Sequence, residues 1–353
     1  MKNSLCILVI VSLVNLSGCG DYSNKYLQED LEFLYAVPAK STLEIRVAES
    51  QARQVSLAGQ SSTLANRSDA VLGQTADWYV FTRLMSLEVN LHVFGFLDMV
   101  DIITGFPPTA REDNMRLWGP WASRDTPNTD WRFVMEKDVA TGIFSLDLQV
   151  NSVASRNTSA YVEGWQDCLS GTIDPSQASF RRGTGNLTAS VEICNQYNDQ
   201  NVEKGSVSIG FDTSPDQDNP SGKTDLTIVF LDFISKDMFD NNPDPQPLNA
   251  EYRYLELGDL SGEFDFDVWT DIDDGQDPLK LAEEHVVLKV AWDDTGAGRA
   301  DSLWTDGDLG ALVILLSECW DSDKKRVYYE DSLGMAPTEG LPGDCVMEPA
   351  VFD

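Results

Sequence analysis

From Met115 onward, apolar and polar residues alternate in one short segment after another, and this two-residue period constrains the fold more than any other feature. In Phe144–Val150, for example, Phe, Leu, Leu and Val alternate with Ser, Asp and Gln. Because successive side chains of a β-strand point to opposite faces, each segment predicts a strand with one apolar and one polar face. The other predicted strands are Trp131–Glu136, Ser206–Phe211, Leu226–Phe233, Glu251–Leu257, Glu263–Trp269, Val286–Trp292 and Leu312–Leu316.

Turn-forming sequences separate these segments. The connections are short and show no helical pattern, so consecutive strands are expected to pair antiparallel. Gly, Pro, Asn and Asp, which favour tight turns, are concentrated in them. The predicted turns are Asp138–Gly142, Arg182–Gly185, Pro215–Gly222, Asn241–Pro247, Asp293–Gly298 and Gly307–Gly310.

The part of the chain before Met115 has a different pattern. Leu43–Val47 alternates and predicts one early strand. Trp78–Ile103 then has apolar residues at a helical period, and Pro107-Pro108 follows as expected after a helix end. This segment is apolar almost all round, so a helix here needs cover on most sides. Its narrow polar stripe consists of Arg83, Ser86, Asn90 and Asp101, and its charged residues Arg83, Glu88, Asp98 and Asp101 argue against a transmembrane helix.

A large sheet with an apolar face and a helix with little polar surface can bury one another. We therefore predict an α+β, β-dominated fold in which a large curved antiparallel sheet, or an open β-barrel, wraps around one long apolar helix; a two-sheet sandwich is the alternative. Residues 31–353 are expected to form a single β-rich domain, with a strand and the helical part in 31–108 and antiparallel strands in 109–353. An apolar ligand or lipid between helix and sheet would be lined by Trp78, Phe81, Met85, Phe94 and Phe96.

The N-terminal residues predict export. Lys2 precedes an apolar run of 12 residues, Leu5–Leu16. The run is too short for a bilayer-spanning helix, which needs about 20 residues, but it has the length of a signal-peptide core. Leu16-Ser17-Gly18-Cys19 follows and resembles the lipobox of bacterial lipoproteins. The resemblance implies that the signal peptide 1–18 is cleaved, that Cys19 carries lipid and that residues 19–30 form a lipidated tether. An ordinary secretory signal with a chance cysteine is the alternative.

The residue after the lipidated cysteine bears on the membrane that receives the protein. In this class of lipoprotein, Asp at that position favours retention in the inner membrane. Gly20 stands there in this chain, although Asp21 follows. The resemblance therefore implies a lipoprotein of the cell envelope located at the outer membrane, held there by the acyl chains on Cys19.

The chain is strongly acidic. It has 353 residues, of which 25 are basic and 58 acidic, and a net charge of −33. Residues 1–18 contain Lys2 and no acidic residue, so the predicted mature chain of 335 residues has a charge of −34. Such a surface repels nucleic acid and anionic lipid head groups, and we expect no nucleic-acid partner. The predicted partners are the membrane, through the lipid anchor, and an apolar ligand or lipid.

Four cysteines remain beyond the first 19 residues. In an oxidising compartment an even number of cysteines predicts disulfides. Of the three pairings, the local ones are favoured: Cys168–Cys194 and Cys319–Cys345, each separated by 26 positions. A zinc site is the alternative, but CxxC spacing and a neighbouring histidine are both missing.

Catalytic residues are not evident. His92 and His285 are the only histidines, and nothing in their local sequence supplies the acid that orients a catalytic base. Both are interpreted as structural. Among 58 acidic residues no catalytic pair can be singled out, and Glu263, Asp265 and Asp267 lie on the polar face of one predicted strand. We predict no catalytic residue and do not expect an enzyme.

An acidic segment around Gly275 is the candidate metal site. Closely spaced carboxylates around a glycine turn are what Ca²⁺ prefers. Gly275 falls one position early for an EF-hand loop, and Ala282 replaces its bidentate Glu, so a solvated hairpin loop is the alternative. Calcium is the one cofactor considered, with Asp271, Asp273, Asp274 and Asp277 as its ligands.

Trp118 and Trp121 flank a Gly-Pro bend, and Trp131 is close in sequence. Exposed tryptophans can stack on sugars, whereas buried ones fill the core, and core filling is the favoured interpretation. Together with the acidic segment around Gly275, these residues define the alternative function, a calcium- or glycan-binding surface adhesion module.

Three further stretches resemble uncharacterised lipoproteins of myxobacteria and their relatives. The resemblance covers most of the mature chain and implies no activity, cofactor or catalytic residue. In the stretch Gly296–Asp301, we expect the carboxylate of Asp301 to hold the side chain of Arg299 in place. The leading prediction is therefore a membrane-anchored, non-enzymatic lipoprotein that binds an apolar ligand or lipid. The stretches are Pro107-Pro108 leading into Trp118–Trp121, Gly296–Asp301, and Ser317–Asp321 with Tyr328-Tyr329.

Overall fold

A computed structural model describes residues 26–48, 71–122, 126–175, 181–198, 202–215, 223–234, 247–270, 282–334 and 336–352. In these residues the protein is β-dominated. Fifteen antiparallel strands form a sheet that is not closed, and their order in the sheet is their order in the chain. The strands are β1 (Ala110–Glu112), β2 (Met115–Ala122), β3 (Thr129–Lys137), β4 (Phe144–Ser152), β5 (Gln166–Pro175), β6 (Gly183–Ser190), β7 (Lys204–Asp212), β8 (Thr224–Ile234), β9 (Leu248–Glu256), β10 (Gly262–Thr270), β11 (Glu284–Trp292), β12 (Gly298–Asp306), β13 (Gly310–Trp320), β14 (Arg326–Asp331) and β15 (Glu339–Gly340).

The described part also contains one long α-helix and four short ones. The long helix has 28 residues and occupies the segment with the helical period. Its C-terminal end precedes Pro107-Pro108, which cannot continue a helix. The helices are α1 (Asp30–Ala36), α2 (Lys40–Leu43), α3 (Asp77–Thr104), α4 (Ala160–Glu163) and α5 (Val191–Cys194).

Two compact units are distinguished along the chain. The first comprises Met1–Glu44, Asn90–Asp216 and Leu226–Asn249. Its inner sheet face carries buried apolar side chains at alternate positions, as expected when the opposite face meets solvent. Examples from three neighbouring strands are Phe133, Leu148 and Leu169.

Within the first unit, α1 is fixed by a buried charge cluster. Asp30 is fully buried, and its carboxylate accepts hydrogen bonds from Arg116 (Nε, 2.7 Å) and Arg111 (Nη2, 3.0 Å). The side chain of Tyr26 also donates to the main-chain oxygen of Thr104. Tyr26 and Asp30, at the C-terminal end of the predicted tether 19–30, thus bond to other residues of this unit.

The second unit comprises Ile45–Val89, Gln217–Asp225 and Ala250–Asp353. Its inner face carries buried side chains on each of β10 to β13. In the cross-strand register, Phe266 lies opposite Leu288 and Val268 lies opposite Val286. All four of these side chains are buried.

A C-terminal segment lies on the outer face of the second unit. The amide of Ala350 donates to Asp301 (2.9 Å), and Lys289 donates through Nζ to the main-chain oxygen of Val351 (2.8 Å). Asp301 also accepts a hydrogen bond from Arg299 (Nε, 2.7 Å), which is the expected pair. Both side chains are buried although they lie on the polar face of β12, because this segment covers them.

The early strand predicted at Leu43–Val47 is wrong. Leu43 ends helix α2, and the residues up to Val47 belong to no strand. The alternation in burial is real, since Leu43, Ile45 and Val47 are buried. The backbone of Arg46 bonds to a side chain and not to a neighbouring strand. Its amide donates to Tyr254 Oη (2.9 Å), and the Tyr254 hydroxyl donates to Arg46 O (3.2 Å). The described residues of 31–108 therefore contain helices and no strand.

The turn predicted at Arg182–Gly185 is also wrong at its C-terminal end, because β6 begins at Gly183. Gly185 is a packing position: a Cβ atom there would lie 2.5 Å from both Thr172 O and Phe211 Cζ. In addition, the connections are not free of helix, because the single-turn helices α4 and α5 precede β5 and β7.

Candidate functional site

The N-terminus of α3 is attached to β13 and β14 by buried charges. The carboxylate of Glu318 accepts hydrogen bonds from the amides of Trp78 (2.6 Å) and Asp77 (3.1 Å). Arg326 donates through Nε to Glu318 and through Nη2 to Asp77 Oδ2 (2.8 Å). Two amides at the start of the helix, which have no partner within the helix, are thereby satisfied.

Burial and charge act in opposite directions on both ionisable groups of this cap. Glu318 is fully buried, and burial raises the pKa of its carboxyl although Arg326 opposes the shift. Burial alone would lower the pKa of Arg326, but the carboxylates of Glu318 and Asp77 raise it. A charged pair in this position fixes the direction of α3 and hence the position of the side chains on its first turns.

A row of aromatic rings runs from the first turns of α3 into the sheet. The centroids of Trp78 and Phe81 are 5.4 Å apart, those of Phe81 and Phe266 are 6.2 Å apart, and those of Phe266 and Tyr252 are 4.9 Å apart. Trp78, Phe266 and Tyr252 are buried, and Phe81 is half-buried. The row therefore reaches the surface at Phe81. Burial raises the pKa of Tyr252, at the inner end of the row, and the charge of Glu88 adds to the shift.

Apolar surface continues along α3 beside Phe81. Met85 is half-buried, and Leu84 and Leu87 are 37% and 42% exposed. We refer to Phe81, Leu84, Met85 and Leu87 as the α3 apolar patch. Of the predicted ligand-lining residues in this unit, Phe81 and Met85 belong to the patch, whereas Trp78 is packed inside.

The exposure of residues along this part of α3 differs from the predicted polar stripe. Ser86 and Asn90 are buried, although they were expected among the polar residues on the surface. Ser86 is satisfied by the main-chain oxygen of Arg83 (2.8 Å), which allows a small polar side chain to be buried without a distant partner. The leucines at positions 84 and 87 take the exposed positions instead.

The remaining predicted lining residues lie in the second half of α3. Phe94 is half-buried, and Lys40 Nζ lies 5.7 Å from the centroid of its ring. Lys40 also forms an ion pair with Asp98, so a charged pair lies next to this ring. The side chain of Phe96 lies outside the described residues.

The predicted calcium ligands Asp271, Asp273, Asp274 and Asp277 lie outside the described residues, as does Cys19. Where side chains are described, no group of three or more His, Cys, Asp or Glu residues could hold a metal ion. The calcium site therefore stays a prediction.

The four remaining cysteines lie in the two pairs expected from their spacing. Cys168 is bonded to Cys194 and Cys319 to Cys345, with Cα–Cα distances of 4.7 Å and 5.5 Å. The second bond joins β13 to the C-terminal segment that covers Asp301.

His285 has the acidic partner that its local sequence did not reveal. Its Nε2 lies 2.8 Å from Asp267 Oδ1, and its ring is stacked on Trp269 with centroids 4.7 Å apart. Among the described residues, no serine, threonine or cysteine side chain hydrogen-bonds to His285. The side chain of His92 lies outside the described set.

The tryptophans near the Gly-Pro bend do not form an exposed platform. Trp118 is fully buried, and its Nε1 donates to the main-chain oxygen of Phe106 (2.8 Å). Trp121 and Trp131 are half-buried and lie opposite each other on β2 and β3. Trp118 thus fills the core, and the sugar platform expected as the alternative loses its central residue.

No protein-family model, curated protein or solved structure matches this chain. Among the helices of the described residues, none has both the length and the apolar character required to cross a membrane.

Proposed function

We propose that the protein is a membrane-anchored, non-enzymatic lipoprotein of the bacterial cell envelope that binds an apolar ligand or lipid against α3, where the helix meets the sheet. The anchor is lipid on Cys19. Its support is the order of Lys2, the apolar run Leu5–Leu16 and the small residues before Cys19. Gly20 after the cysteine favours the outer membrane over the inner one.

The observation that carries the ligand proposal is the α3 apolar patch. The buried aromatic row that includes Phe266 surfaces at Phe81, next to Leu84 and Met85. An acyl chain on this patch removes apolar surface from water, which stabilises the complex by about 25 cal/mol per Å² buried. The net charge of −33 disfavours anionic head groups, so the proposed ligand is neutral or purely apolar.

The anchor is tested on the full chain expressed in a Gram-negative bacterium. Mass spectrometry of the N-terminal peptide is expected to show a chain that begins at Cys19 and carries acyl groups. The variant Cys19→Ser is expected to lack them. An N-terminal peptide that includes Met1, or an unmodified Cys19, would contradict the anchor.

Ligand binding is tested on protein secreted with Cys19→Ser behind an ordinary cleavable signal peptide, so that no anchor lipid is present. N-phenyl-1-naphthylamine, an uncharged molecule whose fluorescence rises in apolar surroundings, is the probe. We expect Leu84→Glu to weaken binding at least tenfold, because it places a charge in the patch.

Leu231→Glu is the matched control, because Leu231 is an exposed leucine (56%) on β8 in the first unit, whereas the patch belongs to the second. Both substitutions replace an exposed side chain, so neither is expected to unfold the protein. No fluorescence change with the unsubstituted protein, or equal weakening by both variants, would rule out the patch as the ligand site.

A further inference from the structure

Trp165, which precedes β5 in the first unit, is held in a fixed orientation at the outer face of the sheet. Its ring is half-buried and contacts the ring of Tyr161 edge-on, with centroids 5.4 Å apart. The guanidinium of Arg132 lies over it, with Cζ 4.4 Å from the ring centroid. The indole Nε1 donates no hydrogen bond to any described residue. Within the described part of the chain, Trp165 therefore presents both a flat apolar surface and a donor without a partner.

The side chains behind Trp165 are themselves fixed. Tyr161 donates its hydroxyl to Asp130 Oδ2 (2.9 Å), and Asp130 is fully buried. Arg156 donates to the same carboxylate through Nε (2.7 Å). Because Tyr161 is oriented by the buried carboxylate of Asp130, the tryptophan that it contacts is preorganised, which reduces the entropy lost when a ligand is bound.

A polar row lies beside this ring. Arg132, Gln149 and Asp167 are directly opposite one another on β3, β4 and β5. Arg132 Nε donates to Gln149 Oε1 (2.5 Å), and Gln149 Nε2 donates to Asp167 Oδ1 (2.7 Å). Within the described residues, the Nη groups of Arg132 donate no hydrogen bond and Asp167 Oδ2 accepts none. The row thus offers free donors and a free acceptor side by side.

The adjoining strands extend this surface with uncharged groups. Ser170, Thr188 and Ser208 form one cross-strand row, and Thr172 lies opposite Asn186 in the next. Thr188 and Ser208 are within 3.1 Å of each other, and Asn186 donates to Thr172 (3.0 Å). In so acidic a chain, this stretch of hydroxyl and amide groups is a local departure from the overall charge.

The chemistry of the surface selects among ligand classes. An anion would meet Asp167 and Asp147, and the pKa of Asp147 is already raised by burial, by Asp167 and by Glu136. An apolar ligand would leave the free polar groups of Arg132 and Asp167 without partners. A neutral polyol both donates and accepts hydrogen bonds, and its carbon-bound hydrogens can pack on an aromatic face.

We propose that the outer face of β3–β5 around Trp165 is a binding site for neutral carbohydrate, with Trp165 as the stacking platform and Arg132, Gln149 and Asp167 as the polar contacts. This site is separate from the bend at Trp118, whose indole is buried. It depends on neither the lipid on Cys19 nor the α3 apolar patch, and the two proposals stand or fall separately.

The test uses the full chain with Cys19→Ser, secreted as for the fluorescence titration. Calorimetric titrations are made with maltohexaose, cellohexaose, chitohexaose and laminarihexaose, and a pull-down with the corresponding insoluble polysaccharides extends the panel. We expect binding to at least one of these glycans. Trp165→Ala and Asp167→Ala are each expected to weaken it at least tenfold.

Trp269→Ala is the matched control, because Trp269 is an exposed tryptophan (42%) on β10 in the second unit. It is expected to leave the affinity unchanged. Asp167 is exposed, so its variant keeps the fold and decides the test if Trp165→Ala does not. No binding to any glycan of the panel, or binding that Asp167→Ala leaves intact, would overturn the proposal.

Discussion

The carboxylate of Glu318 on β13 accepts a hydrogen bond of 2.6 Å from the amide of Trp78 on α3, across 240 positions of the chain. The same side chain pairs with Arg326, and both are almost completely buried. A distant acidic side chain thus supplies the cap that a residue next to the helix usually provides.

Removing this cap is expected to destabilise the protein strongly. Glu318→Ala leaves Arg326 buried without its main partner, and breaking a buried pair in this way costs about 3–5 kcal/mol. The free energy of unfolding, measured with urea, checks the prediction. The control is Glu263→Ala, an exposed carboxylate on β10, which is expected to change stability by less than about 0.5 kcal/mol. A similar small effect for both variants would contradict the role given to Glu318.

Asp30 gives the protein a defined sensitivity to acid. Burial acts to raise the pKa of Asp30, but hydrogen bonds from Arg111, the amide of Leu27 and Arg116 outweigh it and lower the pKa. Because the folded-state pKa is the lower one, the stability from this group is present above about pH 4, the unfolded value, and is lost as the pH falls through the folded value.

The substitution Asp30→Asn is therefore expected to destabilise the protein by about 3 kcal/mol at pH 7 and progressively less below pH 4. Urea unfolding at several pH values measures this difference. Glu192→Gln, at an exposed position, serves as the control and is expected to show no such trend. A difference that does not shrink in acid would refute the electrostatic account of Asp30.

The pKa of Asp147 is shifted in the opposite direction to that of Asp30. Burial, Asp167 and Glu136 together raise its pKa, so the ionised form lowers stability at neutral pH. Stability is gained as the pH falls through the folded-state pKa, and Asp147→Asn removes the penalty. Because the side chain is only half-buried, we expect a gain of about 0.5 kcal/mol at pH 7 that disappears below about pH 4. Asp174→Asn, on the exposed face of β5, is expected to give no gain in the same denaturation measurements.

Gly185 on β6 and Gly210 on β7 are both glycines within strands, but the space around them differs. A Cβ at Gly185 would lie 2.5 Å from Phe211 Cζ and from Thr172 O, whereas the nearest atom to one at Gly210 is 3.9 Å away. We expect Gly185→Ala to destabilise the protein by about 1–3 kcal/mol through overpacking. Gly210→Ala is expected to be neutral or to stabilise it by up to about 1 kcal/mol. Equal melting temperatures for the two variants would disprove this assignment.

The bond between Cys319 and Cys345 is expected to hold the C-terminal segment on β12. Replacing both cysteines with Ser should lower the free energy of unfolding by about 3–4 kcal/mol, given a closed loop of this length. It should also speed hydrogen exchange at the amide of Ala350, which donates to Asp301. Removing the Cys168–Cys194 bond is the comparison: it should change stability similarly and leave the exchange at Ala350 unaltered.

Much of the fold could be predicted from the sequence, because most strands have one wet face and one dry face. Two of the errors arise where the backbone has an unusual neighbour. Arg46 alternates like a strand residue, but its amide and carbonyl bond to the hydroxyl of Tyr254, more than two hundred positions away. Gly185 has the residue type of a turn, but it is required by the ring of Phe211 from the next strand.

The candidate sites were less predictable for a related reason. On α3, apolar residues occur on every side, so the helical period could not decide whether Leu84 or Ser86 faces solvent. Burial of Ser86 needed a hydrogen bond to Arg83 O that the sequence pattern does not show. At the outer face of β3–β5, Trp165 and Arg132 are 33 positions apart in sequence, and only strand register brings them together.

The strand order has a consequence for how the chain acquires its structure. In each unit, a strand such as β4 or β11 bonds to the strand made just before it. A sheet of this kind can form strand by strand as the polypeptide emerges from the ribosome or an export channel, because each strand pairs with its neighbour in sequence. Contacts such as those of Arg46 with Tyr254 and of Trp78 with Glu318 are exceptions, and the second is expected to be among the last events of folding, after β13 has been synthesised.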